Sequence, residues 1–433
     1  MPVPAIFLMI NGAAALVFYT FFNRLVTYER IDKTIHAVKS LLPSEAPAVV
    51  KLKIPKRTFN FEDSRDHEPR DPESKDESRD HESQAEPRYP ESRDVFGDNE
   101  ITRIIGHFDD VEKVIVIGDI EGQLHVLYNL LKELNLISIQ IENSNRELKW
   151  LDDKIVVVQC GDQIDQTRHT EAKTLDLNVL NFTDRLSRIS QGRFVNIIGN
   201  HEWMNVFGDL RYVHREDLVR TKKEERKKSF NFSGQYGRIL RRRHLVFRIN
   251  NAIFSHAGIT PEVAGSVEDG IDSWIDDTNA MLDDPLNFDQ DTMSAKFSQR
   301  AWGSSSRAGH GECQDNGDAG MMWTRRYKYG CISNFEMPDS LKPLALMVTG
   351  HNKESGGEVF IKTPSATILR GDDFDVQLGG DSLIMSDTVK GKGDQTKLGY
   401  ITLTTRTLEN KRIFDKAIVK YYSCEGHCDL YNE

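Results

Sequence analysis

Five times in this chain a short apolar run, rich in β-branched residues, ends in glycine or another small residue beside a polar side chain able to bind a cation. The runs are "KVIVIGD" (113–119), "DKIVVVQCGD" (153–162), "GRFVNIIGNHE" (192–202), "NAIFSHAG" (251–258) and "LALMVTGHN" (344–352). A strand this apolar is buried on both faces, and the C-terminal ends of such strands are where α/β proteins place their chemistry. Leu124, Leu127, Leu131 and Leu134 recur at helical spacing after the first run. The alternation predicts a layered α/β fold, with helices on the faces of a largely buried sheet.

In order, the strand ends deliver Asp119 with Glu121, Asp162 with Asp165, Asn200 with His201 and Glu202, His256, and His351. Singly, each has an ordinary explanation: an Asp after a strand is often a helix N-cap, and a lone His a core residue. Together, carboxylate, amide and imidazole donors suit Mn, Fe or Zn. A carboxylate with ligands on either side is what a two-metal phosphoryl-transfer centre requires. The charged run "TKKEERKKSF" (221–230) reads as a solvated loop, placed where it would rim a cleft.

Ahead of this region, "VPAIFLMINGAAALVFYTFF" (3–22) carries no charge. As a helix it would span roughly the 30 Å of a bilayer core. Arg24, Arg30 and Lys33 follow it and nothing basic precedes it. The expectation is a single-pass membrane anchor over 1–30, with the rest of the chain on the cytoplasmic side. Residues 31–98 read as a juxtamembrane segment, with a short helix around 31–42, and a low-complexity linker. "SRDHE" occurs twice and "SRD" a third time within 64–94, a stretch too poor in apolar side chains to order itself. Residues 99–433 form the remaining domain. Its five cysteines are scattered and odd in number, not a disulfide framework, which favours a reducing compartment. A net charge of −11 argues against nucleic acid as a partner.

The order GD-x-x-G, GD-x-x-D, GNHE, HAG, GH resembles the calcineurin-like metallophosphoesterases, and within them the phosphoprotein phosphatases. Longer stretches, "GNHEWMNVFGDLRYV" (199–213), "YGRILRRRHLVFRINNAIFSHAGITPEV" (236–263), "MWTRRY" (322–327) and "MVTGHN" (347–352), look like the Shewanella-like phosphatases. The resemblance implies a metallophosphoesterase β-sandwich flanked by helices, and two divalent metal ions: manganese first, with iron, zinc or magnesium as alternatives. On matching positions, Asp119 and Glu121 would hold the first metal, Asp162 would bridge, and Asn200, His256 and His351 would hold the second. His201 would be the general acid, oriented by Asp165, while a hydroxide between the metals attacks phosphorus in line. Arg325 matches the family's phosphate-binding arginine. The family's second arginine is replaced by Gln166; Arg168 either swings into that space or is a surface residue. Arg211 and Arg238 are weaker candidates.

Taken together with the apolar N-terminal run, the resemblance points to a membrane-anchored protein phosphatase whose substrate is a phosphorylated protein or another phosphate ester. A hydrolase of nucleotides or dinucleoside polyphosphates and a phosphate-reading pseudophosphatase are the alternatives. Glu121 stands where the family pattern Asp-x-His has histidine. As a third carboxylate at the first metal it would favour Mn or Mg over Zn.

Overall fold

The computed structural model describes residues 8–10, 13–15, 106–142, 145–165, 176–265, 267, 269–289, 291–303, 320–328, 331, 334–352, 358–386, 389–390 and 397–423. The chain divides into two compact units, Met1–Pro90 and Glu91–Glu433.

In the first unit the described residues form a hairpin, not the expected helix. Leu8–Ile10 pairs antiparallel with Ala13–Ala15, and Ile10 stands opposite Ala13. Asn11-Gly12 lies between them, and Asn-Gly is the dipeptide that most favours a two-residue hairpin loop. The expectation rested on the length and lack of charge of the apolar run, and the pairing of Leu8–Ile10 with Ala13–Ala15 departs from it. The rest of the anchor, the helix around 31–42 and the charged linker lie outside the described residues. Among the described residues no helix is long and apolar enough to cross a membrane.

The second unit contains two mixed sheets. The principal strands of these two sheets are β1 (His107–Phe108), β2 (Lys113–Ile117), β3 (Ile155–Gln159), β4 (Phe194–Asn196), β5 (Val246–Ile249), β6 (Ala252–Ser255) and β7 (Leu346–Thr349), followed by β8 (Val359–Lys362), β9 (Thr367–Arg370), β10 (Phe374–Gln377), β11 (Ser382–Ser386), β12 (Lys397–Leu408) and β13 (Lys411–Ser423). One sheet runs β10-β13-β12-β2-β3-β4 and the other β9-β8-β11-β7-β6-β5-β1. β2, β3 and β4 are mutually parallel, as are β6 and β7, so each set presents its C-terminal ends at one edge.

Alternation along β2 explains the layers. Val114 and Val116 pack with Val156 and Val158 of β3 against Phe247, Phe254 and Val348 of the other sheet. Ile115 and Ile117 face the opposite way, onto Leu124, Leu127 and Leu131 of helix α1 (Leu124–Glu133). Outward residues of the second sheet, Ile253, Met347 and Leu383, join Trp203, Phe230 and Phe297. The result is a β-sandwich covered by helices on both faces. Each such side chain taken from water contributes about 1.5–3 kcal/mol, which holds the strand ends in place.

The C-terminal stretch closes the first sheet. β12 pairs antiparallel with β2, and β13 with β12. Their connection is Glu409-Asn410, both at positive φ, the requirement of a type I′ turn.

Two sequence expectations change here. The run 221–230 is not a loop: Lys223–Phe230 is a helix, α4, with Arg226 and Phe230 buried. Among the cysteines, Cys160 is a buried free thiol, whereas Cys331 is disulfide-bonded.

Candidate active site

The loops after β2 and β3 are joined by backbone bonds. The N–H groups of Ile120 and Glu121 donate to the Asp162 carbonyl at 2.9 and 3.0 Å. A third loop is tied in by Glu202, on helix α3 (Asn200–Val206). Its carboxylate accepts from the N–H groups of Gly199 (2.7 Å), Asp162 (3.1 Å) and Gln163 (2.7 Å). The bond to Gly199 is the return half of a capping box, so one side chain caps a helix and fixes two site loops. The approach is close: a Cβ on Gly199 would lie 2.2 Å from Asp162 Oδ1, and one on Gly350 would lie 2.5 Å from Asp119 Oδ1. Glu121, Asp162, Asp165 and His351 all hold positive φ, between 48° and 68°. Non-glycine residues in that region concentrate at functional sites because each costs free energy that the surroundings must offset.

Strand ends from both sheets converge. Asp162, His256 and His351 are buried, with ligand atoms within 4.8 Å of one another. His256 Nδ1 donates to the Cys160 carbonyl at 2.7 Å, which directs Nε2 at Asn200 Oδ1 (2.9 Å) and Asp162 Oδ1 (3.3 Å). Asp119 Oδ1 accepts from the His351 backbone N–H at 3.0 Å, bringing the first strand end alongside. Glu121 is buried but does not join the three-residue group; its charge is felt instead at His201.

Charge follows this geometry. Burial opposes ionisation of Asp162, yet His201, His256 and His351 hold its carboxyl well below the usual carboxylate range. Burial also lowers the His256 pKa, but Asp162 and Asp119 overcome it and raise it to about 9. His351 goes the other way: burial, then Arg325 and His256, keep its imidazole neutral. Its buried Nε2 meets no hydrogen-bond partner among the described residues. A neutral imidazole with an unbonded nitrogen beside carboxylate and amide oxygens fits a borderline divalent cation.

Next to this cluster stands His201. Its backbone N–H donates to Asp162 Oδ1 at 3.0 Å, and its ring Nδ1 lies 3.0 Å from Asp165 Oδ2. A carboxylate only accepts, so Nδ1 carries a proton and Nε2 is the end directed at the cluster, 3.7 Å from Asp162 Oδ2. Tyr212 tilts against the imidazole with ring centroids 5.0 Å apart. Burial lowers the His201 pKa, but Asp162, Asp165 and Glu121 raise it to about 9.

Asp165 is itself held by residues the sequence reading missed. Asn205 Nδ2 donates to both its oxygens, at 3.0 and 3.1 Å, and Arg226 Nη2 to Oδ1 at 3.1 Å. Asn205 sits one helical turn after His201, a spacing that puts both on one face. Nothing in the charged run distinguishes Arg226 from its neighbours.

Among the arginines, Arg325 is at the site: its Nη1 donates to the His351 carbonyl at 3.1 Å. Arg168 and Gln166 lie outside the described residues. Arg211 is an exposed partner of Asp209, and Arg238 donates to the Ser233 carbonyl on the surface.

No family model matches the chain. Over 154 residues it is 31% identical to Shewanella-like protein phosphatase 1 of Plasmodium berghei, covering 34% of this chain and 39% of the relative. Over 123 residues it is 32% identical to Shewanella-like protein phosphatase 2 of Arabidopsis thaliana, covering 28% of each. The chain therefore spans well under half the length of these curated relatives. Among solved structures, a cold-active protein-tyrosine phosphatase of a psychrophilic Shewanella species aligns over 72% of this chain and 83% of its own. Identity there is 20% and the TM-score 0.47. Over about a third of its length the chain is thus similar in sequence to the Shewanella-like protein phosphatases.

Proposed function

We propose that this chain is a metal-dependent phosphomonoesterase acting on phosphorylated proteins. The observation that carries the reading is the Asp162, His256 and His351 cluster set directly beside the His201–Asp165 pair. Asp162, Asn200, His256 and His351, with Asp119 alongside, would hold divalent cations, and Glu121 would complete the first of two sites. Bound there, such ions would supply positive charge to a phosphoryl group and a nucleophile at neutral pH.

The chain's own residues do the rest. His201 keeps a proton on Nε2 and gives it to the leaving oxygen, while Asp165 fixes the ring and its tautomer. Arg325, anchored on the His351 carbonyl, presents a planar guanidinium suited to two phosphoryl oxygens. Burial of the ring and the carboxylates excludes water from the proton's path. Attachment to a membrane through residues 1–30 is supported by composition alone. Alkaline carbonate extraction of full-length chain from cell membranes tests it.

For the activity, the purified full chain with added Mn is assayed on phosphoserine and phosphotyrosine peptides and on a dinucleoside polyphosphate, with bound metal measured in parallel. Turnover of the peptides with two ions per chain is expected. Turnover of the dinucleoside polyphosphate alone would move the substrate class, and a chain that binds no metal and hydrolyses nothing would be a pseudophosphatase.

A further inference from the structure

Beneath the His201–Asp165 pair lies a guanidinium that the proposed chemistry does not touch. Arg226 projects from α4 with a fully buried side chain. Its two terminal nitrogens bond both oxygens of Asp176, each at 2.8 Å. Nη2 also reaches Asp165 Oδ1 at 3.1 Å, and Nε donates to Asn205 Oδ1 at 2.7 Å. Asn205 then donates to Asp165 and to the His201 carbonyl, and Asp176 Oδ2 accepts the Asp165 backbone N–H at 3.1 Å. Every route from Arg226 ends on Asp165 or on the helix that carries His201. The surrounding helix is otherwise mostly solvated, with Glu224, Glu225, Lys227 and Lys228 pairing on its exposed side.

A buried arginine is costly unless fully bonded, and swapping such networks for apolar residues is often neutral for stability. Stability therefore does not by itself call for this one. Its geometry does have a chemical use: an Asp165 free to rotate would let the His201 ring turn Nε2 away from the leaving group.

We propose that Arg226 is a positioning residue for proton delivery: it clamps Asp165, through Asn205 and Asp176 as well as directly, and so fixes the direction in which His201 presents its proton. This rests on the phosphatase reading above. A leaving group that departs readily as an anion needs little help from an acid, whereas a poor one depends on it. Loss of the clamp must then slow poor leaving groups selectively, a pattern that general loosening of the fold does not give.

The test uses the full chain with Mn, comparing p-nitrophenyl phosphate (good leaving group), phenyl phosphate and a phosphoserine peptide (poor ones), for wild type, Arg226→Met, Arg226→Lys, Asp165→Asn and the Arg226→Met/Asp165→Asn pair. For Arg226→Met we expect kcat on the poor leaving groups to fall by about 10–100-fold, part of the 10²–10⁴ a general acid supplies. KM should be unchanged and p-nitrophenyl phosphate slowed less than about 3-fold on the same reasoning. Arg226→Lys, which cannot match the bidentate fork, should fall between, and the double variant should be no slower than Asp165→Asn. Equal slowing of all three substrates, or none, overturns the proposal. If Arg226→Met does not fold, Arg226→Lys decides on the same criterion. A wild-type chain that hydrolyses none of the three overturns the phosphatase reading and the proposal with it; a flat pattern from an active wild type overturns the proposal alone.

Discussion

His201 Nδ1 and Asp165 Oδ2 stand 3.0 Å apart where both side chains are buried, so each feels the other's charge with little screening. With Asp162 and Glu121 nearby, this environment lifts the His201 pKa to about 9 against an ordinary 6.5, even though burial pulls the other way. In the metal-free chain, NMR should find His201 titrating near pH 9, and Asp165→Asn should lower that value. The sign for stability follows: a folded pKa above the unfolded one stabilises fully below about pH 6.5, and the contribution is lost as pH rises through about 9. Urea midpoints of the metal-free chain should therefore fall between these pH values, and less steeply in His201→Asn. A midpoint that rises over that window would contradict the assignment.

His201→Asn should also separate chemistry from metal binding. Turnover of a phosphoserine peptide is expected to drop by about 10²–10⁴-fold, the usual worth of a general acid. Bound metal, by inductively coupled plasma mass spectrometry, should not change, because His201 is outside the Asp162, His256 and His351 group. Retained activity would mean that another group protonates the leaving oxygen.

Glu202 makes a structural prediction. Glu202→Ala strands the buried N–H groups of Gly199, Asp162 and Gln163, at about 1–3 kcal/mol for each unsatisfied group. Unfolding free energy from urea titration should fall by about 3 kcal/mol or more on that scale, with metal affinity falling too because two of those residues frame the site. A loss below about 1 kcal/mol would show that water takes over the bonds.

Gly199→Ala tests the close approach. Its Cβ would sit 2.2 Å from Asp162 Oδ1, so Asp162 must move. We expect metal stoichiometry to fall and stability to drop by about 1–3 kcal/mol, the typical cost of overpacking. Unchanged metal content would place Asp162 outside the binding set.

At Glu121, substitution by His should raise zinc affinity and keep activity, and substitution by Ala should weaken one of two bound ions. Isothermal titration with Mn and Zn reads both. If Glu121→Ala alters neither metal binding nor rate, the carboxylate serves only the field around His201, where its charge is already felt.

How much of this was legible beforehand depends on the physics each feature leaves in the chain. Strands such as Ile155–Gln159 are buried on both faces and must be apolar throughout, so their ends, and Asp162, His256 and His351 on them, announce themselves. Which sheet each strand joins is set by long-range pairing, which no local pattern encodes. Arg226 hid in a charged run because burial of its guanidinium depends on Asp176 and Asp165, far away in sequence. At Leu8–Ala15 the reverse happened: the twenty-residue uncharged run predicts a helix, whereas Leu8–Ile10 pairs with Ala13–Ala15 as a hairpin.

The four left-handed residues of the candidate site carry an evolutionary consequence. Glycine would adopt the backbone at Glu121, Asp162, Asp165 or His351 without steric cost, yet it would erase the side chain that each position displays. A library of this chain sorted for heat resistance and one sorted for turnover would therefore diverge first at these four codons. Such a divergence would mark the site without any ligand being seen.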